Sequence, residues 1–319
     1  MRSSRPRRGQ TPLRQHTVDL HAHTTASDGL VSPSHLVDMA RQQGLRVLAI
    51  TDHDTTNGVD EALQAATAPL TVIPGVEINT NVDGRETHIL GYYIEHHAPS
   101  LQRFLSEQRN GRDVRAERMI ERLGDHNIHL DLMAIRTQAA GAALGRPHVA
   151  RALVAAGHAR SVQDAFDQWL GIGRPAYAAR PNFTPEEAVA VIRKAGGVAV
   201  LAHPASMLEL EIRVSRLVDV GLAGIECYYP GYSTSVTAAL VAVARRYGLV
   251  PTGGTDFHGT DMKHGRALGS VFVPVETPDH LKRRSVAGDV SKTVVPKDRV
   301  VVSPGRSRDV DATARTSTE

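Results

Sequence analysis

The chain has 319 residues, of which 41% are hydrophobic and 22% are charged, which is the composition of an ordinary globular protein. This length suits either two domains or one α/β barrel. No apolar run is long enough to cross a bilayer, and the single cysteine, Cys227, excludes a disulfide scaffold and a cysteine-based zinc or iron–sulfur site.

The charge of the chain is unevenly placed. The formal net charge is +3, but residues 1–16 contain five arginines and no acid, so the rest of the chain carries a net −2. A general basic surface for nucleic acid is therefore excluded, and residues 1–16 are predicted to be a disordered basic tail. The near-absence of cysteine is typical of a reducing, cytoplasmic compartment.

Short apolar runs rich in β-branched residues alternate with amphipathic helical patterns along most of the chain. Ser32 is placed to cap a helix that begins at Pro33, and Thr184 with Glu187 forms a capping-box pattern. This alternation predicts an α/β fold in which helices join parallel strands. The predicted strands are Thr17–Leu20, Arg46–Ile50, Thr71–Ile73 with Val76–Ile78, Thr87–Tyr92, Val198–Ala202, Gly224–Cys227, Leu249–Thr252 and Ser270–Val273.

The alternation stops in the middle of the chain, where the pattern is only helical. The helices predicted there are Leu101–Asp125, Pro147–Ala156 and Ser161–Leu170. We therefore expect an all-helical, substrate-binding insertion between two halves of a barrel, and a C-terminal tail too polar to fold. The predicted organisation is the basic tail at 1–16, the first half of the barrel at 17–98, the helical insertion at 99–180, the second half of the barrel at 181–284 and a disordered tail at 285–319.

Histidine and carboxylate residues lie within or directly after the predicted strands. In a β/α barrel the carboxyl ends of the strands face one mouth, where active sites are built, so these side chains are expected to meet in one cavity. Buried imidazoles and carboxylates are costly unless something neutralises and binds them, and metal cations do both. The nine candidate metal ligands are His21, His23, Asp28, His53, Glu77, His88, His203, Asp256 and His258.

Six histidines and three carboxylates exceed what one ion can bind, so two or three divalent metals are predicted. Mixed imidazole and carboxylate ligands favour manganese, iron or zinc over magnesium or calcium. Asp52 or Asp54 is a candidate for orienting His53, whereas Asp19 and Glu226 are expected to be structural. The other histidines are predicted to be ordinary surface or core residues: His16, His35, His96, His97, His126, His129, His158, His264 and His280.

The polar motifs follow one another in the order of a known family. They are His21-Ala22-His23-Thr24 with Ser27-Asp28-Gly29, Thr51-Asp52-His53-Asp54, Gly75-Val76-Glu77, Leu201-Ala202-His203-Pro204 and Thr255-Asp256-Phe257-His258-Gly259. Together they resemble the motifs of the PHP (polymerase and histidinol phosphatase) superfamily. The resemblance implies a distorted (β/α)7 barrel, a site for three metals, and phosphoester hydrolysis in which metal-bound water, and no protein nucleophile, attacks phosphorus.

The resemblance also implies a division of the ligands among three metals, with Glu77 bridging two of them. The implied sets are His21, His23, Glu77 and Asp256 for one metal, Asp28, His53 and His258 for a second, and Glu77, His88 and His203 for a third.

Within the superfamily, two motifs of the helical region resemble the nucleoside 3′,5′-bisphosphate phosphatase group, whose bacterial relatives include 5′–3′ exoribonucleases. They are Gly145-Arg146-Pro147-His148 and Gly173-Arg174-Pro175. The resemblance implies that Arg146 and His148 bind phosphate and makes Arg174 a further candidate, although Arg146 could instead only begin a helix. Because aromatic residues are 4% of the chain, no stacking platform for a long strand is evident, and the expected substrate is a nucleotide or short RNA.

Two alternatives stay open at this point. One is a small-metabolite phosphatase of the histidinol phosphate type. The other is a nucleotide or metal sensor without turnover, which the full set of candidate ligands disfavours.

Overall fold

The computed structural model describes residues 16–139, 144–179, 183–259 and 267–285. The predicted tails at 1–16 and 285–319 lie almost entirely outside these residues, so their organisation stays a prediction. Within the described part of the chain, no helix is both long and apolar enough to span a membrane.

The described residues form seven strands that lie side by side in chain order. Main-chain contacts join the last strand to the first, because Leu20 N donates to Gly253 O at 3.3 Å and Ala22 forms a bridge with Phe257. The sheet therefore closes into the predicted barrel. The strands are β1 Val18–Asp19, β2 Val47–Ile50, β3 Thr71–Val82, β4 Arg85–Tyr92, β5 Val198–Leu201, β6 Gly224–Tyr228 and β7 Val250–Gly253.

The expectation that all strands are parallel is wrong for β4, which runs antiparallel to both β3 and β5. Only Asp83 and Gly84 separate β3 from β4, and both have positive φ, 51° and 77°. A two-residue Asp-Gly loop folds a chain back on itself as a hairpin, whereas parallel neighbours need a long crossover. The two predicted strand pieces Thr71–Ile73 and Val76–Ile78 are parts of the single strand β3.

The predicted strand Ser270–Val273 is also wrong, because this segment is irregular in the structure. The edge of β7 that it would pair with is already taken by the chain at Leu20, whose amide donates to Gly253. Val273 is instead buried against the inside of the barrel, and Phe272 is half-exposed.

The helices cover the outside of the barrel, and the two predicted caps are present. Ser32 accepts a hydrogen bond from the His35 amide, and Thr184 and Glu187 form a reciprocal capping box. The helices are α1 Pro33–Gln42, α2 Val59–Ala65, α3 Pro99–Gly124, α4 Leu132–Gln138, α5 Arg146–Ala155, α6 Val162–Ala165 with a π-helical turn Phe166–Leu170, α7 Pro185–Lys194, α8 Leu210–Asp219, α9 Thr234–Arg246 and α10 Thr277–Lys282.

The helices α3 to α6 have a hydrophobic core of their own, which includes Met119, Leu123 and Leu153. A buried ion pair between Arg112 of α3 and Asp54, which follows β2, joins this helical region to the barrel. The predicted domain boundaries at 98/99 and 180/181 stay a prediction.

Candidate metal centre

Four of the seven strands deliver candidate ligands within five residues after their last residue. His21 and His23 follow β1, His53 follows β2, His203 follows β5, and Asp256 and His258 follow β7. Two of these residues turn sharply, since the φ angle is 25° at His203 and 52° at Asp256. Such positive φ values in non-glycine residues are strained and often occur at functional sites.

Glu77 and His88 reach the same place from the hairpin. Glu77 lies within β3 and forms a bridge with His53, while His88 lies in the first half of β4 opposite Asn79. Because β4 runs antiparallel to its neighbours β3 and β5, it begins near the mouth where those strands end. His88 therefore joins the cluster although it does not follow a strand.

The carboxylate of Glu77 lies at the middle of the cluster and is 1% exposed. Five imidazole nitrogens lie between 2.8 and 3.3 Å from its oxygens. They belong to His21, His23, His53, His88 and His203.

Asp256 and Asp28 extend the cluster on either side of His23. The Asp256 Oδ1 atom is 3.2 Å from His23 Nε2 and 3.4 Å from His21 Nε2. The Asp28 Oδ1 atom is 3.3 Å from His258 Nε2 and 4.0 Å from His23 Nδ1. The structure thus brings all nine sequence-predicted ligands together.

Three subsets of these residues each place their ligand atoms within 4.8 Å of one another. The subset around Asp256 matches the implied first set, and the subset around Asp28 matches the second with His23 added. The third subset contains His53 where the resemblance implied His203. The subsets are His21, His23, Glu77 and Asp256; His23, Asp28, His53 and His258; and His53, Glu77 and His88.

The chemistry of the cluster fits metal cations. Several buried ligand atoms have no hydrogen-bond partner among the described residues, which is costly for polar groups removed from water. Imidazole nitrogens and carboxylate oxygens are also the ligands that zinc, manganese and iron accept. The atoms that lie close to other ligand atoms of the cluster but form no hydrogen bond are His21 Nε2, His23 Nδ1, His23 Nε2, Asp28 Oδ1 and Glu77 Oε2.

The carboxylates are held in the ionised form that a metal requires. Burial alone would raise the pKa of Glu77, but the imidazoles around it, led by His53 and His21, hold that pKa well below its usual range. Burial would likewise raise the pKa of Asp256, but His21 and His258 hold that pKa well below its usual range. A buried centre with charged carboxylates is suited to binding cations.

Carboxylates outside the nine hold the ligand-bearing loops in place. Glu226, in β6, accepts a hydrogen bond from the His203 amide at 2.8 Å and lies 2.9 Å from His21 Nδ1. The sequence predicts a structural role for Glu226, and in the structure it orients two candidate ligands directly. Asp52 holds the loop between His23 and Asp28 through hydrogen bonds from Thr24 and Ser27.

Sequence reasoning missed Asn79 altogether. Its Nδ2 atom lies 3.0 Å from His53 Nδ1 and 3.1 Å from Asp54 Oδ2, and Asp54 is paired in turn with Arg112. Asn79 stands two residues after Glu77 in the same strand, so both side chains point to the same face. That spacing was the available signal.

Tyr229 was also missed. Its hydroxyl donates to Asp256 Oδ2 at 2.6 Å, and its ring lies 5.4 Å from that of His203 and 5.1 Å from that of Tyr232. It directly follows β6, which is the position that marked the other site residues. Because tyrosine at that position is not typical of a metal ligand, the sequence does not predict a role for it.

The three predicted substrate-binding residues lie in different settings. Arg146 pairs with Glu86, and its guanidinium lies over the ring of Phe166. His148 accepts a hydrogen bond from the Gly145 amide at 3.0 Å, while Arg174 is exposed.

A cavity of about 240 Å³ opens beside the candidate ligands. Its lining includes His88 and His203, and Glu86 lies on its wall. Arg146 is therefore connected to this cavity through its carboxylate partner. The remaining lining includes Arg85, Arg213 and the exposed apolar side chain of Ile172.

The sequence matches known proteins over most of its length. Residues 19–175 match the family model of the PHP domain. The 5′–3′ exoribonuclease Rnm of Escherichia coli strain K12 is 38% identical over 247 residues, which cover 75% of this chain and 84% of that protein. A 3′,5′-nucleoside bisphosphate phosphatase of Chromobacterium violaceum is 32% identical over 276 residues, which cover 81% of this chain and 94% of that protein.

A solved structure shares the fold. A protein from Bifidobacterium adolescentis, assigned as a metal-dependent phosphoesterase, superposes with a TM-score of 0.79 and 31% identity. The superposition covers 88% of this chain and all of that one.

Proposed function

This chain belongs to the PHP domain family, and on that premise we propose that it is a metal-dependent hydrolase of phosphoester bonds in nucleotides or short RNA. The observation that carries the proposal is the convergence of nine imidazoles and carboxylates on one barrel mouth, with Glu77 in their middle. Buried ligand atoms without hydrogen-bond partners support the same conclusion.

Two or three ions of manganese, iron or zinc are proposed for this centre. The proposed ligand sets are the three subsets given above, which contain Asp256, Asp28 and the pair of Glu77 with His88, respectively. When bound, divalent ions supply Lewis acidity toward a phosphate and lower the pKa of water. The chain's own part is to hold the ligands in place, with Glu226 orienting His21 and Tyr229 donating to Asp256.

The proposed substrate is a nucleotide whose 3′ oxygen carries a phosphoester. The relatives named above are a 5′–3′ exoribonuclease and a 3′,5′-nucleoside bisphosphate phosphatase. Hydrolysis at the 3′ oxygen of a 5′-terminal nucleotide would serve both activities, since the substrates differ only in what lies beyond the phosphorus.

The cavity beside His88 and His203 is the proposed place for the body of the nucleotide. Arg146 and His148 are proposed to bind phosphate from the helical side. A guanidinium suits that role because its planar fork pairs with two phosphate oxygens at once. In the free protein, Glu86 holds that fork, so substrate phosphate would compete with Glu86 for it.

A comparison of three substrates tests the proposal. The full chain is depleted of metal with a chelator, reloaded with manganese, and assayed on a nucleoside 3′,5′-bisphosphate, a 5′-phosphorylated oligoribonucleotide and histidinol phosphate. We expect manganese-dependent release of phosphate from the first or of mononucleotides from the second. Faster hydrolysis of histidinol phosphate, or no manganese-dependent hydrolysis of either nucleotide substrate, would overturn the proposal.

A further inference from the structure

A second group of metal-ligating side chains lies on the surface, and it shares no residue with the centre around Glu77. It consists of Asp60 in the first turn of α2 and of His96 and His97 in the turn between β4 and α3. Asp60 is 53% exposed and His97 is 67% exposed, so ions in solution can reach them. We refer to these three residues as the outer cluster.

The spacing of the outer cluster matches that of ligands around one ion. The His96 Nε2 atom is 2.8 Å from Asp60 Oδ1, and the His97 Nε2 atom is 3.2 Å from Asp60 Oδ2. Two ligand atoms that each lie about 2.1 Å from an ion are roughly 3.0 Å apart at a right angle and roughly 3.4 Å apart at a tetrahedral angle. A small movement of these side chains would therefore admit an ion between them.

The histidines are held in position by main-chain contacts that do not depend on an ion. Ala98 N donates to Glu95 O at 2.9 Å, which closes a turn with the two histidines at its central positions. The carbonyl of His96 accepts hydrogen bonds from Thr56 and Gln102. Two imidazoles are thus presented side by side toward α2, with their ring centres 4.2 Å apart.

The ligand types define the class of ion. Two imidazoles and one carboxylate suit zinc, copper, nickel or iron, and they suit magnesium and calcium poorly.

We propose that Asp60, His96 and His97 bind one divalent transition-metal ion, of which Zn²⁺ is the representative, at a site separate from the centre around Glu77. The ion would join α2 to the turn that leads into α3, which carries the helical region. This inference does not rest on the proposed function.

Zinc stoichiometry tests the inference. The full chain is dialysed to equilibrium against Zn²⁺ over several decades of free concentration, and bound zinc is counted by elemental analysis. We expect Asp60→Asn and His97→Gln each to bind one equivalent fewer than the wild type. Asp38→Asn is the matched control, since its carboxylate is 51% exposed on α1 and pairs with Arg41 rather than with histidines; it should bind as many equivalents as the wild type.

Two further readouts separate the outer cluster from the centre around Glu77. Manganese-supported phosphoester hydrolysis should be equal in Asp60→Asn and the wild type, because Asp60 touches no residue of that centre. Added zinc should raise the melting temperature of the wild type more than that of Asp60→Asn. Equal zinc stoichiometry in all variants would overturn the inference, and so would a loss of zinc that is accompanied by a loss of hydrolysis.

Discussion

Arg146 connects the helical region to the cavity, and its role is decided by separating binding from metal content. If Arg146 binds substrate phosphate, Arg146→Ala removes a charge-assisted contact without touching a metal ligand. We expect metal content to stay unchanged and kcat/KM to fall roughly ten- to 150-fold. This fall corresponds to a loss of about 1.5–3 kcal/mol of transition-state stabilisation. Steady-state kinetics and elemental analysis on the same preparations measure both.

Arg146→Lys is the companion variant. A lysine keeps the charge but cannot pair with two oxygens at once, so it should recover little of the lost kcat/KM. If Arg146 only begins α5, both variants would show normal kinetics and a small loss of stability. Arg146 would then not be a substrate-binding residue.

His148 gives the fold a pH dependence of known sign. Burial lowers its pKa from 6.5 to about 4, against the opposing charge of Asp28. Between pH 6.5 and 4 the unfolded chain therefore binds a proton that the folded chain does not, so the free energy of unfolding falls as the pH falls. This contribution is fully present above pH 6.5 and is lost as the pH falls to about 4.

His148→Gln removes that contribution. Urea unfolding of metal-depleted wild type and variant, measured at intervals across this pH range, should show a flatter pH dependence in the variant. Parallel curves for the two proteins would mean that His148 is not held neutral by its surroundings.

Individual ligands were predictable from the sequence where one side chain carried both a position and a chemistry. His53 and Asp256 stand just after strands and have side chains that commonly bind metals, so pattern and residue type pointed to the same prediction. Asn79, two residues after Glu77, and Tyr229, directly after β6, lie at comparable positions. Their side chains are not typical metal ligands, so residue type did not predict a role for them. Their roles emerge only from the contacts with His53 and Asp256.

At the scale of secondary-structure elements, two ion pairs join α3 to the barrel, Arg112 with Asp54 and Arg115 with Glu86, and the first is the more deeply buried. Arg112 Nε donates to Asp54 Oδ2 at 2.5 Å, and both side chains are almost fully buried. Arg112→Ala leaves the Asp54 carboxylate buried without this partner, which costs about 3–5 kcal/mol in comparable pairs. Chemical denaturation of the variant should show that loss in the free energy of unfolding.

Arg118→Ala is the control, because Arg118 lies on the same helix but is exposed. Its free energy of unfolding should stay within about 0.5 kcal/mol of the wild type. Equal losses in the two variants would show that the ion pair with Asp54 contributes nothing particular.

The elements of the barrel were predictable where the hydrophobic periodicity and the capping residues both indicated a helix, as at α1 and α7. The direction of β4 was missed although the Asp83-Gly84 pair is a hairpin signal, because helix–strand alternation elsewhere favoured parallel strands. The failure at Ser270–Val273 is of another kind. An apolar run becomes a strand only if a free edge exists, and closure of the barrel, which no local pattern reveals, removes that edge.

At the scale of the whole molecule, the centre is assembled from both ends of the chain. His21, His23 and His53 come from before the helical region, while His203 and Asp256 come from after it. Glu77 contacts histidines of both groups. The centre can therefore form only when the entire barrel has folded. The order of the motifs along the chain predicted the fold more clearly than any single strand did.

Glu77→Gln is the sharpest test of the proposed metal centre, because this substitution keeps the shape of the side chain and removes the charge that five imidazoles face. We expect the variant to fold and to lose bound metal. Its manganese-supported kcat on nucleotide phosphoesters should fall by more than about 100-fold, the upper loss typical of residues that only support a ligand. Glu121→Gln, an exposed change on α3, should keep both properties. Wild-type metal content together with wild-type kcat in Glu77→Gln would show that the cluster around Glu77 is not the metal centre of the enzyme.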